Sequence, residues 1–182
     1  MTTCLLGAGG HAKVVYDTAL KISISIDSFI DPKVTSFYAL KKMDEDEEPE
    51  NYFISVGGSS VKDLAKRQEL YLEYKGFSNP ITIISNHAMI SSEALVGPGT
   101  FVANGAIINS GAKIGENVII NTGAIIEHDV IVEDGCHIAP GAIILGGSRI
   151  QRISMVGAGS VILPNQTVAE KFLVPSLTRY KK

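Results

Sequence analysis

Four histidines are the residues of this chain able to move a proton near neutral pH: His11, His87, His128 and His137. His128 stands between two carboxylates in Glu127-His128-Asp129, and His137 follows nine residues later. A neighbouring carboxylate holds an imidazole in one tautomer and stabilises the imidazolium, so His128 with Asp129 has the equipment to take a proton from a hydroxyl or an amine. A surface histidine on a solvated corner is the competing reading, and the residues alone leave both open. His11 lies in Gly7-Ala8-Gly9-Gly10-His11-Ala12-Lys13, where a ligand contact and a plain turn are equally open; His87 reads as structural. A catalytic zinc wants three protein ligands and a water. His87 lies 41 residues before His128, the histidines form no close pair, and no Cys-x-x-Cys occurs, so no metal is expected.

These residues must be held by something, and the strongest pattern in the chain is a period of six. Ile84, Ile90, Val96, Val102, Ile108, Ile114, Ile120, Ile126 and their successors to Val168 are β-branched at every sixth position. Four residues after most of them comes a small side chain such as Ala88, Ala106, Ala124 or Ala142. A helix repeats at 3.6 residues and a strand at 2.0, so six fits neither as a stripe. It fits short strands separated by turns and wound into a solenoid, with the branched residues stacked inward. Glycines at Gly99, Gly105, Gly111, Gly123 and onward suit corners that need positive φ. Fourteen hexads fill residues 84–167. The flat faces of such a stack invite self-association.

Ahead of the hexads the pattern changes to α/β. Thr2–Leu6 reads as a buried strand, the Gly-rich turn follows, and Val14–Leu20 reads as a helix. Gly7, Gly9 and Ala12 fit the G-x-G-x-x-G/A form in the context it requires, after a strand and opening a helix. There backbone N–H groups and a helix dipole can meet a phosphate, although a tight turn without ligand has the same spelling. Ser25–Ile30 reads as a second strand ending at Asp31, the place such units give a ribose-binding acid. Lys41–Asn51 reads as a solvated acidic loop, Tyr52–Val56 as a third strand, and Gly57-Gly58-Ser59-Ser60 as a second turn opening the helix Val61–Tyr74, which carries Lys66 and Arg67. Gly76–Pro80 reads as the exit and Ile81–Ile84 as a last strand or lead-in. The boundary therefore falls between 1–80, a truncated Rossmann-like unit, and 81–182, the solenoid with a C-terminal tail. Eighty residues are too few for a full dinucleotide domain, which favours a mononucleotide or nucleotide-linked ligand.

Composition sets outer limits. The 182 residues are 45% hydrophobic and 19% charged, enough to bury a core. A net charge of −3 gives no reason to expect nucleic acid or an anionic membrane as partner. No apolar run reaches membrane-span length and the N-terminus lacks a basic-then-apolar leader. Cys4 and Cys136 sit in apolar surroundings and read as structural thiols suited to a reducing, cytoplasmic setting.

The hexads resemble those of the left-handed β-helix hexapeptide acyltransferases. Together with Gly7–Lys13, Phe29-Ile30-Asp31-Pro32, Ile54–Gly58 and Asn121-Thr122 before Glu127-His128-Asp129, the chain resembles the sugar O-/N-acetyltransferases of the NeuD and PglD type over almost its full length. That resemblance implies three hexads per left-handed turn, four to five turns here, and a homotrimer with acetyl-CoA between coils. It implies that His128 is the general base, that Asp129 holds or polarises it, and that His137 and Gly146 meet the acetyl-CoA thioester and pantetheine arm. Gly7, Gly9, Gly10, His11, Lys13, Asp31 and Gly57 are implied to hold the acceptor, a nucleotide-linked sugar. The segment Leu173–Arg179 departs from the family's Gly-x-Pro-Ala-[Lys/Arg] ending.

The expected activity is acetyl-CoA-dependent N-acetylation of a UDP-4-amino sugar, with no resident metal. O-acetylation of a sialic acid or related sugar is the alternative, because the same base serves a hydroxyl. A non-catalytic sugar-nucleotide-binding scaffold is the second alternative, motivated by the altered ending.

Overall fold

The computed structural model describes residues 3–44 and 46–181. The expected share of Thr2 in the first strand, and Glu45 of the acidic stretch, lie outside the described residues. The front unit runs β1 (Thr3–Leu6), α1 (Gly10–Lys21), β2 (Ser28–Ile30), β3 (Lys41–Lys42), β4 (Asn51–Ile54), α2 (Val61–Tyr74) and β5 (Asn79–Pro80). All five strands are parallel in the order β3-β2-β1-β4-β5. β1 and β4 are apolar on both faces because both faces are covered, as in any sheet of this kind. On the α1 side Leu5, Ala12, Val15, Phe29 and Phe53 form one core, and on the α2 side Cys4, Leu6, Tyr52, Ile54 and Tyr71 form another.

Several expected boundaries move. α1 begins at Gly10, with Gly9 extended as its N-cap, so His11 and Lys13 stand on the first helical turn rather than in a loop. β2 is only Ser28–Ile30, because Asp27 is used otherwise: its carboxylate accepts the Thr3 N–H at 3.0 Å. The stretch expected as a wholly solvated loop contributes an edge strand, Lys41–Lys42, whose lysines are exposed as edge residues commonly are. β4 ends at Ile54, since Ser55 and Val56 both turn their N–H groups back onto the Leu6 carbonyl. The expected Ile81–Ile84 strand divides. Asn79–Pro80 closes the sheet at an edge, where a proline is tolerated, and Ile83–Ile84 is already the first side of the solenoid.

From Ile83 onward a two-residue strand recurs every six residues to Arg179–Tyr180, and each as far as Val161–Ile162 pairs in parallel with the strand eighteen residues further on. The result is a three-sided parallel β-helix with sheets of six, five and six strands. Inward residues Ile120, Ile126, Ile138 and Ile144 are fully buried, as are Ala124, Cys136 and Ala142 four places after their own inward residues. Each buried isoleucine contributes about 2 kcal/mol, and small neighbours leave room for three such side chains per turn. The third residue after each inward one is left-handed from Gly99 to Leu177, and Asp129 takes one of these corners at φ 59.

The stack is longer than the hexad pattern suggests. Leu173–Val174 pairs with Met155–Val156 and Arg179–Tyr180 with Val161–Ile162, so the expected tail belongs to the β-helix, which runs to a little over five turns. Val174 fills the inward place even though Gln166 and Phe172 break the small-residue rule. Of the three outer faces, that of Ile83, Phe101, Ile119 and His137 is buried under the front unit and shares its core. A second face, with Met89, Ile107, Ile125, Ile143 and Val161, is apolar and only partly covered. The third mixes Leu95, Lys113, Ile131 and Arg149.

Candidate active site

Two sites emerge, on either edge of the apolar face. One is a cleft of about 680 Å³ where the front unit meets the β-helix. The chain enters it from β1 through Gly7, at φ 104, where a Cβ would stand 2.6 Å from Val56 Cγ2 and 3.0 Å from Val56 N. The first turn of α1 then points its N–H groups outward with no side-chain cap, an arrangement that suits an anion. Gly57, Gly58 and Lys66 form the opposite wall, and α2 is capped by Ser60, which accepts the Asp63 N–H at 3.2 Å.

Asp31 stands at the edge of this cleft as a brace. Its carboxylate accepts the N–H groups of Ala8 (2.9 Å), Lys33 (2.8 Å) and Val34 (3.0 Å), tying the Gly-rich turn to the end of β2. Burial alone would raise its pKa, but these three donors and Lys42 bring it below the usual carboxylate range.

His137 and Asn121 come from the β-helix to form the floor. His137 Nδ1–H donates to Gly58 O at 2.9 Å, and Nε2, 3.1 Å from Asn121 Nδ2, accepts from that amide. Gly58 O can only accept, which fixes this tautomer. Burial brings the His137 pKa down to about 4; the Gly58 carbonyl opposes this and the Arg67 charge assists it. His11 sits edge-on to Phe101, 5.4 Å between centroids, with Nε2 buried and without a hydrogen-bond partner. Burial, then the charges of Arg67 and His137, lower it to about 3. Both imidazoles are neutral at pH 7.

Arg67, named in the sequence only as a helix residue, is fully buried between the two units. Its Nε donates to Val56 O at 3.1 Å and its Nη1 to Asn117 O, so it clasps the end of the Gly57–Gly58 wall to a β-helix corner. Burial lowers its pKa to about 9. The signal for it was its spacing, three residues after Leu64 and four before Tyr71, which puts a cation on the buried stripe of α2.

The second site is a groove of about 570 Å³ at the far edge, lined by Glu127, His128, Asp129, Leu145, Gly146 and Asn165. His128 Nδ1 lies 2.9 Å from Asp129 Oδ2, and both side chains are exposed. Glu127 accepts from Asn109 Nδ2 at 3.1 Å. Gly146 faces the imidazole directly.

The structure therefore sorts the expected residues. Gly7, Gly9, Gly10, His11, Asp31, Gly57 and His137 line the cleft; His128, Asp129 and Gly146 line the groove. His137 and Gly146, paired by resemblance, are in different places. Lys13 is exposed on α1 and does not line the cleft. Among the described residues, no three His, Cys, Asp or Glu side chains cluster as a metal set would, and no helix is long and apolar enough to cross a membrane. Burial pushes both free thiols up, Cys4 to about 11 and Cys136 to about 12, which leaves them poor nucleophiles.

Comparison with known proteins identifies both units of the fold. Residues 3–73 match the PglD N-terminal domain, and residues 111–146 match the bacterial transferase hexapeptide (six repeats). No curated protein sequence matches the chain. The acetyltransferase domain of PglB from Neisseria gonorrhoeae, also solved with acetyl coenzyme A, is 25% identical over 96% of this chain and 88% of its own, with a TM-score of 0.88. GDP-perosamine N-acetyl transferase from Caulobacter crescentus, in a histidine-to-alanine variant bound to CoA and GDP-perosamine, superposes at a TM-score of 0.90 over 97% of this chain and 86% of its own, at 24% identity. WeeI from Acinetobacter baumannii shares the fold at 18% identity and a TM-score of 0.66, over 98% of this chain and 96% of its own. The chain thus joins a PglD N-terminal domain to a bacterial transferase hexapeptide β-helix, and in this combination it is similar to the hexapeptide-repeat sugar acetyltransferases of the NeuD and PglD type.

Proposed function

We propose that the protein transfers an acetyl group from acetyl-CoA to the amino group of a nucleotide-linked sugar, with His128 as general base. The observation that carries this is the His128–Asp129 pair, 2.9 Å apart in an open groove. Asp129 accepts Nδ1–H, which leaves the Nε2 lone pair for the substrate. The amine attacks the thioester carbonyl carbon, Nε2 takes the amine proton, the C–S bond breaks, and the proton passes from the imidazolium to the departing thiolate. The products are the acetamide and free CoA. No covalent acyl-enzyme is needed, because direct transfer asks only for positioning and a base.

The cleft suits the acceptor. Open N–H groups of α1 and the Lys66 cation match a diphosphate, and the Caulobacter protein binds GDP-perosamine. Each side of the β-helix is one hexad, roughly 20 Å at 3.3 Å per residue, and cleft and groove lie at opposite edges of one side. A second copy packed on the apolar face of Met89, Ile107, Ile125 and Ile143 would bring its groove to this cleft, which supports a homotrimer with composite sites. The setting we propose is cytoplasmic, where acetyl-CoA and nucleotide sugars are made.

The test is acceptor screening with thiol detection of released CoA, using UDP- and GDP-linked 4-amino sugars beside hydroxyl acceptors such as sialic acid. Turnover on amino sugars alone supports the proposal, and turnover on hydroxyl acceptors alone moves it to O-acetylation. Calorimetry showing no acetyl-CoA binding would leave a scaffold. Light scattering that finds a monomer at enzyme concentration would remove the composite site.

A further inference from the structure

Glycine at two positions around His128 and Asp129 does more than the hexad pattern asks of it. Gly111 lies eighteen residues before Asp129, and Gly146 eighteen after His128, so one sits directly below the pair and the other directly above. A Cβ on Gly111 would stand 2.6 Å from Asp129 Oδ1. A Cβ on Gly146 would stand 2.5 Å from His128 Nε2 and 2.7 Å from Cε1. These separations are far inside van der Waals contact. The imidazole and the carboxylate occupy the space that two absent methyl groups vacate.

Corner geometry does not explain both. Gly111 is left-handed at φ 74, but so is Gly141 at φ 67, where a Cβ would meet nothing within 4 Å. Gly146 does not have positive φ at all; the left-handed corner there is Gly147. Meanwhile the backbone of the triplet is fixed from both sides: the Asp129 N–H donates to Ser110 O and the Gly147 N–H to His128 O, each at 3.1 Å. With the backbone held, side chains pushed by a methyl group can only rotate away.

We infer that Gly111 and Gly146 form a two-sided seat that holds Asp129 against His128 Nδ1 and so sets the tautomer of the imidazole. Gly111 is a positioning residue that acts through Asp129. The kinetic part of this inference rests on His128 being the base; the structural part does not.

The experiment compares Gly111→Ala, Gly146→Ala and the corner control Gly141→Ala in the full chain. Ring 15N shifts of labelled histidine report the His128 tautomer, and steady-state assays report kcat and acceptor KM. Wild type and Gly141→Ala should show the Nδ1–H form, and Gly111→Ala should lose it. Both Gly111→Ala and Gly146→Ala should lower kcat on the order of 100-fold, the scale of a misplaced catalytic group, with acceptor KM little changed. Gly111→Ala should melt no higher than Gly141→Ala, which carries the same backbone penalty without the clash. A Gly111→Ala protein that keeps the Nδ1–H form overturns the seat. A tautomer that shifts while kcat does not upholds the seat and removes His128 as the base.

Discussion

Two neutral histidines buried between the front unit and the β-helix should make the fold acid-sensitive above the range of its carboxylates. An unfolded chain protonates histidine near 6.5, whereas the folded protein holds His137 neutral to about 4 and His11 to about 3. As pH falls through 6.5 the unfolded state therefore binds more protons, and stability falls; by pH 8 neither state is protonated and the contribution is complete. Linkage gives a loss of roughly 2 kcal/mol for each histidine between pH 7 and pH 5. Together that is a large part of a typical domain's 5–15 kcal/mol. Asp31, Asp63 and Glu116 are held below their usual range and do not contribute in this window. Urea unfolding at fixed protein concentration between pH 5 and 8 measures the effect. His137→Asn keeps a donor for Gly58 O but cannot titrate, so its loss should be about half that of wild type. A wild-type curve that is flat over this range, or a His137→Asn curve with the same slope, refutes the reasoning.

Three further outcomes follow from the same contacts. Gly7→Ala forces a side chain into positive φ and onto Val56, which should cost about 3 kcal/mol and weaken acceptor binding measured by calorimetry. Arg67→Met strips the donors from the Val56 and Asn117 carbonyls. At 1–3 kcal/mol for each unsatisfied group, the cost is about 3 kcal/mol, or roughly 10 °C in melting temperature for a chain of this size; an unchanged melting temperature would show that the clasp is dispensable. Lys171→Gly relieves an exposed left-handed corner at φ 53 and should stabilise by about 1 kcal/mol, seen as a melting temperature raised by a few degrees.

What the sequence by itself determined was whatever depends on local repetition. The inward Ile and Val at every sixth position need one buried direction, and that need is the same in every hexad, so the β-helix was readable without coordinates. The strand–Gly-turn–helix of residues 3–21 was readable for a related reason: Gly7 answers a steric demand made within a few residues. The helix Val61–Tyr74 carried its own cap in Ser60 and Asp63. Where local signals were weak the reading slipped, as at the two-residue edge strand Lys41–Lys42, whose pairing is decided by β2 rather than by its own side chains.

Only the tertiary structure decided how the site residues divide. His128 and His137 are nine residues apart, yet the β-helix turns the chain through one corner and one side between them. Direction around the coil depends on a corner count, and it sends His137 under the front unit and His128 into the groove. Burial then gave His137 a role the sequence could not show, since its partner Gly58 lies 79 residues away. The same holds for Arg67, whose carbonyl partners come from two different units. A side chain's charge is written in the sequence, but the cost of burying that charge is set by what the fold places around it.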